Sequence, residues 1–387
     1  MVPFNYFLYH HRRPVVATKP EWQAPLPVQR PGSTRPGAPR VTYGEYFTAV
    51  HDFLTTDNGR RLIGALSQRL DRVITMAEID QIDIVIQKHG AFYHPARVDV
   101  IIDHKPTPFV VNLAVSPEGQ AGLRQEFNLL NRLGRSFSWR YVPAAYFQDT
   151  GSDGENSHRF PMFLGEWLSG YHEFHIHSGD DQIQSIRIWD PAKNMILASK
   201  RKRLLYRRVA EILTYYYNLE TFEQIFPWHH GAGDFVVRLI DNEPDLRLIT
   251  VRGYSSLVET DGVDLITILD ALLRFFLHLS MRTRIDRLDG TGDLVWADET
   301  AVEGTLSGFF DGLAHKGRLG ERPESPANLM RYYLSRLSQA DLTEALEDIL
   351  RAYPSQSPER HMMASHLHNH SRALFSCLEA IEYSSDD

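Results

Sequence analysis

The chain has 387 residues, 43% hydrophobic and 23% charged, which is ordinary globular material and enough for two or three folding units. Its 41 Lys and Arg against 49 Asp and Glu leave a formal charge of −8, which argues against a general nucleic-acid binder. One cysteine, Cys377, excludes an internal disulfide framework and a multi-cysteine zinc site, and it fits a reducing, cytoplasmic setting.

The first forty residues hold eight of the 21 prolines, six Lys or Arg and a single acid, Glu21. That composition repeats neither a helix nor a strand period, so residues 1–40 are expected to form an extended Pro-rich arm. The arm reads either as a solvated tail or, given Phe4, Tyr6, Phe7, Tyr9 and Trp22, as a strap over this protein's own surface or a partner's. No positive charge precedes the aromatic stretch 4–9, so it does not read as a signal peptide. Residues 41–80 carry helical spacing: Phe47, Val50, Phe53 and Leu54, then Leu62, Leu66, Leu70, Val73 and Ile74.

The period then changes. Strands are expected at 82–86, 98–102 and 109–115, with residues 88–91 as the first turn. Ser116 and Pro117 start a helix, serine as N-cap and proline in the first turn. One face of that helix holds Leu123, Glu126, Phe127, Leu130 and Leu133. Strands at 142–147 and 162–167 flank a polar loop, and a helix with a basic start covers 204–219. A loop at 227–234 leads into strands at 235–240 and 247–251, and the rest, 265–280 and 328–381, is mostly helical. Asp270 and Arg274 interrupt the most apolar stretch, 265–281, which therefore reads as a buried amphipathic helix and not as a membrane span.

Three strands, a helix, two strands and then a mainly helical region entered through a short hairpin: this order resembles the protein-kinase-like fold, in its aminoglycoside and choline phosphotransferase branch, over residues 82–315. The resemblance implies an α+β, two-lobed architecture. A small antiparallel-sheet lobe would span 81–168 and a larger helical lobe 169–325, with N-terminal helices at 41–80 and C-terminal helices at 326–387. Residues 109–114 look like the third strand of the small lobe, where the family keeps a lysine for the nucleotide phosphates; here stands Asn112. Arg124-Gln125-Glu126-Phe127 looks like the helix whose glutamate pairs with that lysine. Residues 162–170, with Glu166, Trp167, Leu168 and Gly170, are similar to the hinge that meets the adenine. The loop 227–234 lies where the family has His-Gly-Asp followed five residues on by Asn. Counting back from the strand at 235–237 puts Asp234 at the asparagine's position and His229 at the catalytic aspartate's. The strand at 248–251 leads to Arg252, where the family has a metal-binding aspartate.

The departures matter as much as the matches, because phosphoryl transfer is catalysed mainly by positioning and charge neutralisation. Asn112 is neutral, His229 replaces the base, Arg252 has no acceptor for Mg²⁺, and residues 88–95 hold one glycine, Gly90. The resemblance with these departures implies a pseudokinase-like protein, a ligand-binding or regulatory scaffold whose interlobe cleft takes ATP or another nucleotide, some other small molecule, or nothing. The alternative is an atypical phosphoryl- or nucleotidyltransferase in which His229, with His230 beside it, is the base and Asp234 a metal ligand or acid. A plainer alternative is that Trp228, His229 and His230 only pack and hydrogen-bond the loop. Arg252 either pairs with Asp234 or Glu126 as a fixed cation in the vacated metal position, faces an anionic ligand, or is a surface arginine.

Protein partners are expected at the N-terminal arm or the C-terminal helices, with no nucleic acid, no membrane and no assigned metal. His172, His175 and His177, and His361, His366, His368 and His370, read as solvated polar faces. Lys200 to Arg203 with Arg207 and Arg208 reads as a helix flank, and residues 290–293 as a turn.

Overall fold

A computed structural model describes residues 2–8, 12–27, 41–87, 93–149, 160–179, 183–191, 193–229, 233–258, 264–317 and 324–382. The fold is α+β, in two units, Met1–Ser169 and Gly170–Asp387.

In Met1–Ser169, alternation of apolar residues builds β3 (Ile79–Ile86), β4 (His94–Ile102), β5 (Lys105–Leu113), β6 (Ala145–Asp149) and β7 (Met162–Glu166), after β1 (Phe4–Leu8) and β2 (Arg13–Pro14). They form one mixed sheet in the order β2-β1-β3-β4-β5-β7-β6. The β4–β5 hairpin turns at Asp103 and His104, φ +51° and +60°, because a two-residue turn with both centres left-handed matches the right-handed twist of its strands. The helices are α1 (Pro20–Gln23), α2 (Tyr43–Thr55), α3 (Arg60–Leu70) and α4 (Pro117–Ser136). Ser116 caps α4 as its sequence predicts, its hydroxyl accepting from the Gly119 amide at 3.1 Å. Thr42 and Glu45 form a reciprocal capping box on α2. Tyr46, Phe47, Phe53, Val98 and Phe109 lie in the core of this unit, all essentially without exposure.

The N-terminal segment departs from the expected extended arm. In its described part it belongs to the sheet: β1 runs parallel to β3, from Phe4 opposite Ile82 to Leu8 opposite Ile86. The aromatics explain this, since the Tyr6 ring centre lies 5.4 Å from that of Trp22 and 5.0 Å from that of Phe47. Charge adds to it. Asp83 and Asp99 oppose one another across β3 and β4, and Arg12 lies 2.9 Å from the first and 3.7 Å from the second. Residues 28–40 lie outside the described residues.

In Gly170–Asp387 the elements are β8 (Phe174–Ser178), β9 (Gln184–Asp190), β10 (Lys193–Leu197), α5 (Ser199–Tyr216), β11 (Glu223–Ile225), β12 (Phe235–Ile240) and β13 (Glu243–Leu248). Then follow β14 (Tyr254–Ser256), α6 (Leu265–Arg282), β15 (Ile285–Arg287), β16 (Leu294–Trp296), α7 (Thr300–Ala314), α8 (Pro326–Ser335), α9 (Gln339–Arg351) and α10 (Pro358–Glu382). The antiparallel sheet β10-β9-β8 was not expected from the sequence. The hairpin β12–β13 was, and it turns at Asp241 and Asn242, both with positive φ. Helices α5 and α7 approach closely because Gly304, Gly308 and Gly312 repeat every fourth residue of α7. A Cβ at Gly308 would collide with the carbonyl of Arg207. Among the described residues, no helix is long and apolar enough to cross a membrane.

Candidate functional site

The loop between β11 and β12 carries the residues on which the sequence puts the chemistry. Asp234, 1% exposed, closes it. Its carboxylate Oδ2 accepts from the His229 amide at 2.7 Å, which ties these two residues together. Its main-chain carbonyl accepts from the Ile249 amide at 2.7 Å, just past β13. That second contact brings Arg252 to the same carboxylate, and its guanidinium donates to Oδ2. The other carboxylate oxygen, Oδ1, is buried and accepts no hydrogen bond among the described residues. Gly233 has φ +75°, and a Cβ there would lie 2.9 Å from the Glu173 carboxylate; glycine lets that acid approach the loop backbone.

A second arginine holds the loop from the other side. Arg282 ends α6, where a cation also complements the helix dipole, and its side chain is 3% exposed. One terminal nitrogen donates to the Trp228 carbonyl at 2.8 Å and lies 3.0 Å from Nδ1 and 3.3 Å from Nε2 of His229. The other donates to the Tyr353 hydroxyl at 3.1 Å and to Glu359 Oε2 at 3.0 Å. Its Nε is buried without a hydrogen bond among the described residues. The guanidinium also lies over the rings of Phe226 and Trp228, 5.3 and 5.6 Å from their centres. Glu359 Oε1 is 3.6 Å from His229 Nδ1, and the Tyr353 hydroxyl is 2.6 Å from His278 Nε2.

The chemistry follows from donor and acceptor inventory. A guanidinium only donates, so the His229 nitrogen that meets Arg282 must offer a lone pair. Burial and then the Arg282 charge push the His229 pKa down to about 4, so the ring is neutral near pH 7. Such an imidazole is a poor base, and Arg282 engages it. Burial, with Arg282 behind it, pushes His278 down to about 3.

Of the sequence-derived site residues, the structure joins His229, Asp234 and Arg252. His230 lies outside the described residues, as does the expected turn at 88–91. Asn112, Glu126, Glu166, Trp167 and Leu168 belong to Met1–Ser169. Asn112 is half-buried on β5, opposite Pro95 and Phe163. Glu126 is buried on α4. Glu166 accepts from Arg69 of α3 and, at 3.1 Å, from the Ala144 amide, so its carboxylate ties elements of its own unit together. Arg97 lies 5.5 Å from the Trp167 ring centre, and Leu168 is half-buried.

Sequence reasoning missed Glu173, His278, Arg282, Tyr353 and Glu359. Arg282 had one local signal, a charge closing an apolar run. Glu359 had none, being 77 residues away from its partner.

Two readings of polar residues need correction. His175 is buried with Nδ1 3.5 Å from Asp286 and does not belong to a solvated face, and the half-buried His177 sits between Asp289 at 2.9 Å and Arg187 at 2.8 Å. His370 is fully buried, with Nε2 3.0 Å from Ser280 Oγ. The basic flank of α5 is tied down: Lys202 pairs with Asp298 and Arg207 with Asp311. Among the described residues, no three His, Cys, Asp or Glu are grouped to hold a metal ion. No protein-family model matches the chain, and no curated protein matches its sequence.

Proposed function

We propose that the chain is a kinase-like protein of the pseudokinase kind, without working Mg-ATP phosphotransfer, that serves as a regulatory or ligand-binding scaffold. The ion pair between Arg252 and Asp234 carries this reading. At the two positions where the resembled family holds its metal, this chain has one carboxylate and one guanidinium bonded to it. A divalent ion would have to displace the guanidinium, and only one of these two positions would offer it an acid. The neutral, engaged His229 supports the same reading and disfavours the alternative of a transferase with His229 as base. In Met1–Ser169, the order of three antiparallel strands, a helix and two strands is in keeping with it.

Thermal shift with ATP or GTP, with and without Mg²⁺ or Mn²⁺, tests it. A ligand at about a hundred times its dissociation constant adds roughly 2.7 kcal/mol, well within reach of the method. The wild type is expected to show no metal-dependent nucleotide shift. Arg252→Asp is expected to be less stable in chelator, where two carboxylates face each other, and to regain stability with Mg²⁺ or Mn²⁺. A metal-dependent nucleotide shift in the wild type would sink the proposal. Indifference of the Arg252→Asp protein to metal would show that 234 and 252 are not a metal pair.

A further inference from the structure

Three imidazoles hold the C-terminal helices α9 and α10 against α6 and the Phe226–His229 segment, and hydrogen-bond bookkeeping makes each of them an acceptor. His229 faces Arg282, which only donates. The Tyr353 hydroxyl, between α9 and α10, accepts from Arg282 at 3.1 Å and gives its own proton to His278 Nε2 at 2.6 Å. On α10, His370 Nδ1 lies 3.3 Å from the Arg284 guanidinium. Its Nε2 donates to Ser280 Oγ, whose proton goes to the Leu277 carbonyl at 2.8 Å. No one of the three can take a proton without losing an arginine or tyrosine donor.

We propose that α9 and α10 are a proton-operated clamp on the Phe226–His229 segment: closed while His229, His278 and His370 are neutral, and released, with the Arg282 grip on Trp228 and His229, when they are protonated. The groups facing each ring are consistent with this. His229 meets Arg282 of α6, Glu359 of α10, Asp234 of its own loop and Arg252 beyond β13. Only the two acids favour its charged form, and each is itself bonded to an arginine. His278 meets Arg282, Tyr353 and the Phe226 ring. His370 meets Ser280 of α6, Arg284 just past the end of α6, His366 of its own helix and the Trp296 ring of β16. The inference uses only contacts within Gly170–Asp387 and does not depend on the kinase-like reading.

Hydrogen exchange of the full chain, read by mass spectrometry and corrected for intrinsic rates, tests the clamp. Between about pH 7.5 and about pH 5, peptides covering 226–234 and 353–370 are expected to lose about tenfold in protection while those from α5 and α7 keep theirs. Glu359→Gln, which removes the counter-charge of Arg282, is expected to loosen the 226–234 peptide already at the higher pH. Protection of the loop that does not vary with pH, loss shared equally with α5 and α7, or a Glu359→Gln loop as protected as the wild type would each overturn the clamp.

Discussion

A cluster of opposite charges in Met1–Ser169 and another in Gly170–Asp387 are assembled differently. In Met1–Ser169, Asp83 accepts from Arg12 and Asn5, both at 2.9 Å, and from Gln81 at 3.1 Å. Asp99 accepts from Arg97 at 2.8 Å and has Arg12 nearby. Two acids meet two arginines, and each carboxylate is matched. In Gly170–Asp387, Asp234 places the His229 amide and Arg252 on one oxygen and leaves the other without a partner among the described residues. Arg282 divides its donors between the loop and the C-terminal helices, keeps an Nε with no partner among the described residues, and presses on a neutral histidine. A matched cluster is a fastener. A cluster with spare hydrogen-bonding capacity around a titratable ring can take another proton or partner, and that spare capacity, more than the number of charges, makes the second the candidate site.

The sharpest way to break this contrast is to remove Arg282. Its loss strands Glu359, frees the Trp228 carbonyl and empties a buried position, so Arg282→Ala is expected to cost about 3 kcal/mol or more in urea unfolding. Arg282→Lys should recover only part of this, because an ammonium cannot reproduce a planar fork reaching the loop and α10 together. A cost for Arg282→Ala below about 1 kcal/mol would reduce the hub to a surface-like ion pair.

The contrast also explains what could be read from the sequence. The cap at Ser116, the change from helical to alternating period near Ile79 and the hairpin after Asp234 are local patterns. Counting from that hairpin sufficed to put His229, Asp234 and Arg252 in one place. Arg282, Tyr353 and Glu359 were invisible because their partnership is made only by packing α6 against the C-terminal helices, and no local periodicity encodes it. The N-terminal strand was hidden by composition. Proline density masks the alternation of Phe4, Tyr6 and Leu8, although Pro14 and Pro20 both lie outside β1. The sheet β8–β10 was hidden by its histidines, which looked solvent-facing and instead meet Asp286 and Asp289.

Acid should sharpen the contrast next. The pKa of His229 is held near 4, that of His278 near 3, and that of His370 is pushed down mainly by burial, all below the 6.5 of a free imidazole. Below 6.5 the unfolded chain therefore binds more protons at these positions than the folded one. Their contribution to stability is whole above about pH 6.5 and falls as pH drops toward about 4. Urea midpoints are expected to decline over that window, and more gently in His370→Asn, which removes one of the three titrating groups. A midpoint that stays level from about pH 7.5 to about pH 5 would contradict the depressed values.

The smallest expected effect falls on the fastener. Arg12 spans Asp83 and Asp99, yet its side chain is 52% exposed, so water and salt can replace much of what it supplies. Asp83 keeps Asn5 and Gln81, and Asp99 keeps Arg97, when Arg12 is gone. Arg12→Ala should therefore cost about 1 kcal/mol, more at low ionic strength, where the two facing carboxylates repel across a longer screening length. The cost would lie in the attachment of β1 to β3, visible as faster hydrogen exchange over residues 4–8 with the rest of the sheet unchanged. Should Arg12→Ala prove as costly as Arg282→Ala, exposure and residual partners would not be what separates the two clusters, and Arg12 would have to be read as a hub in its own right.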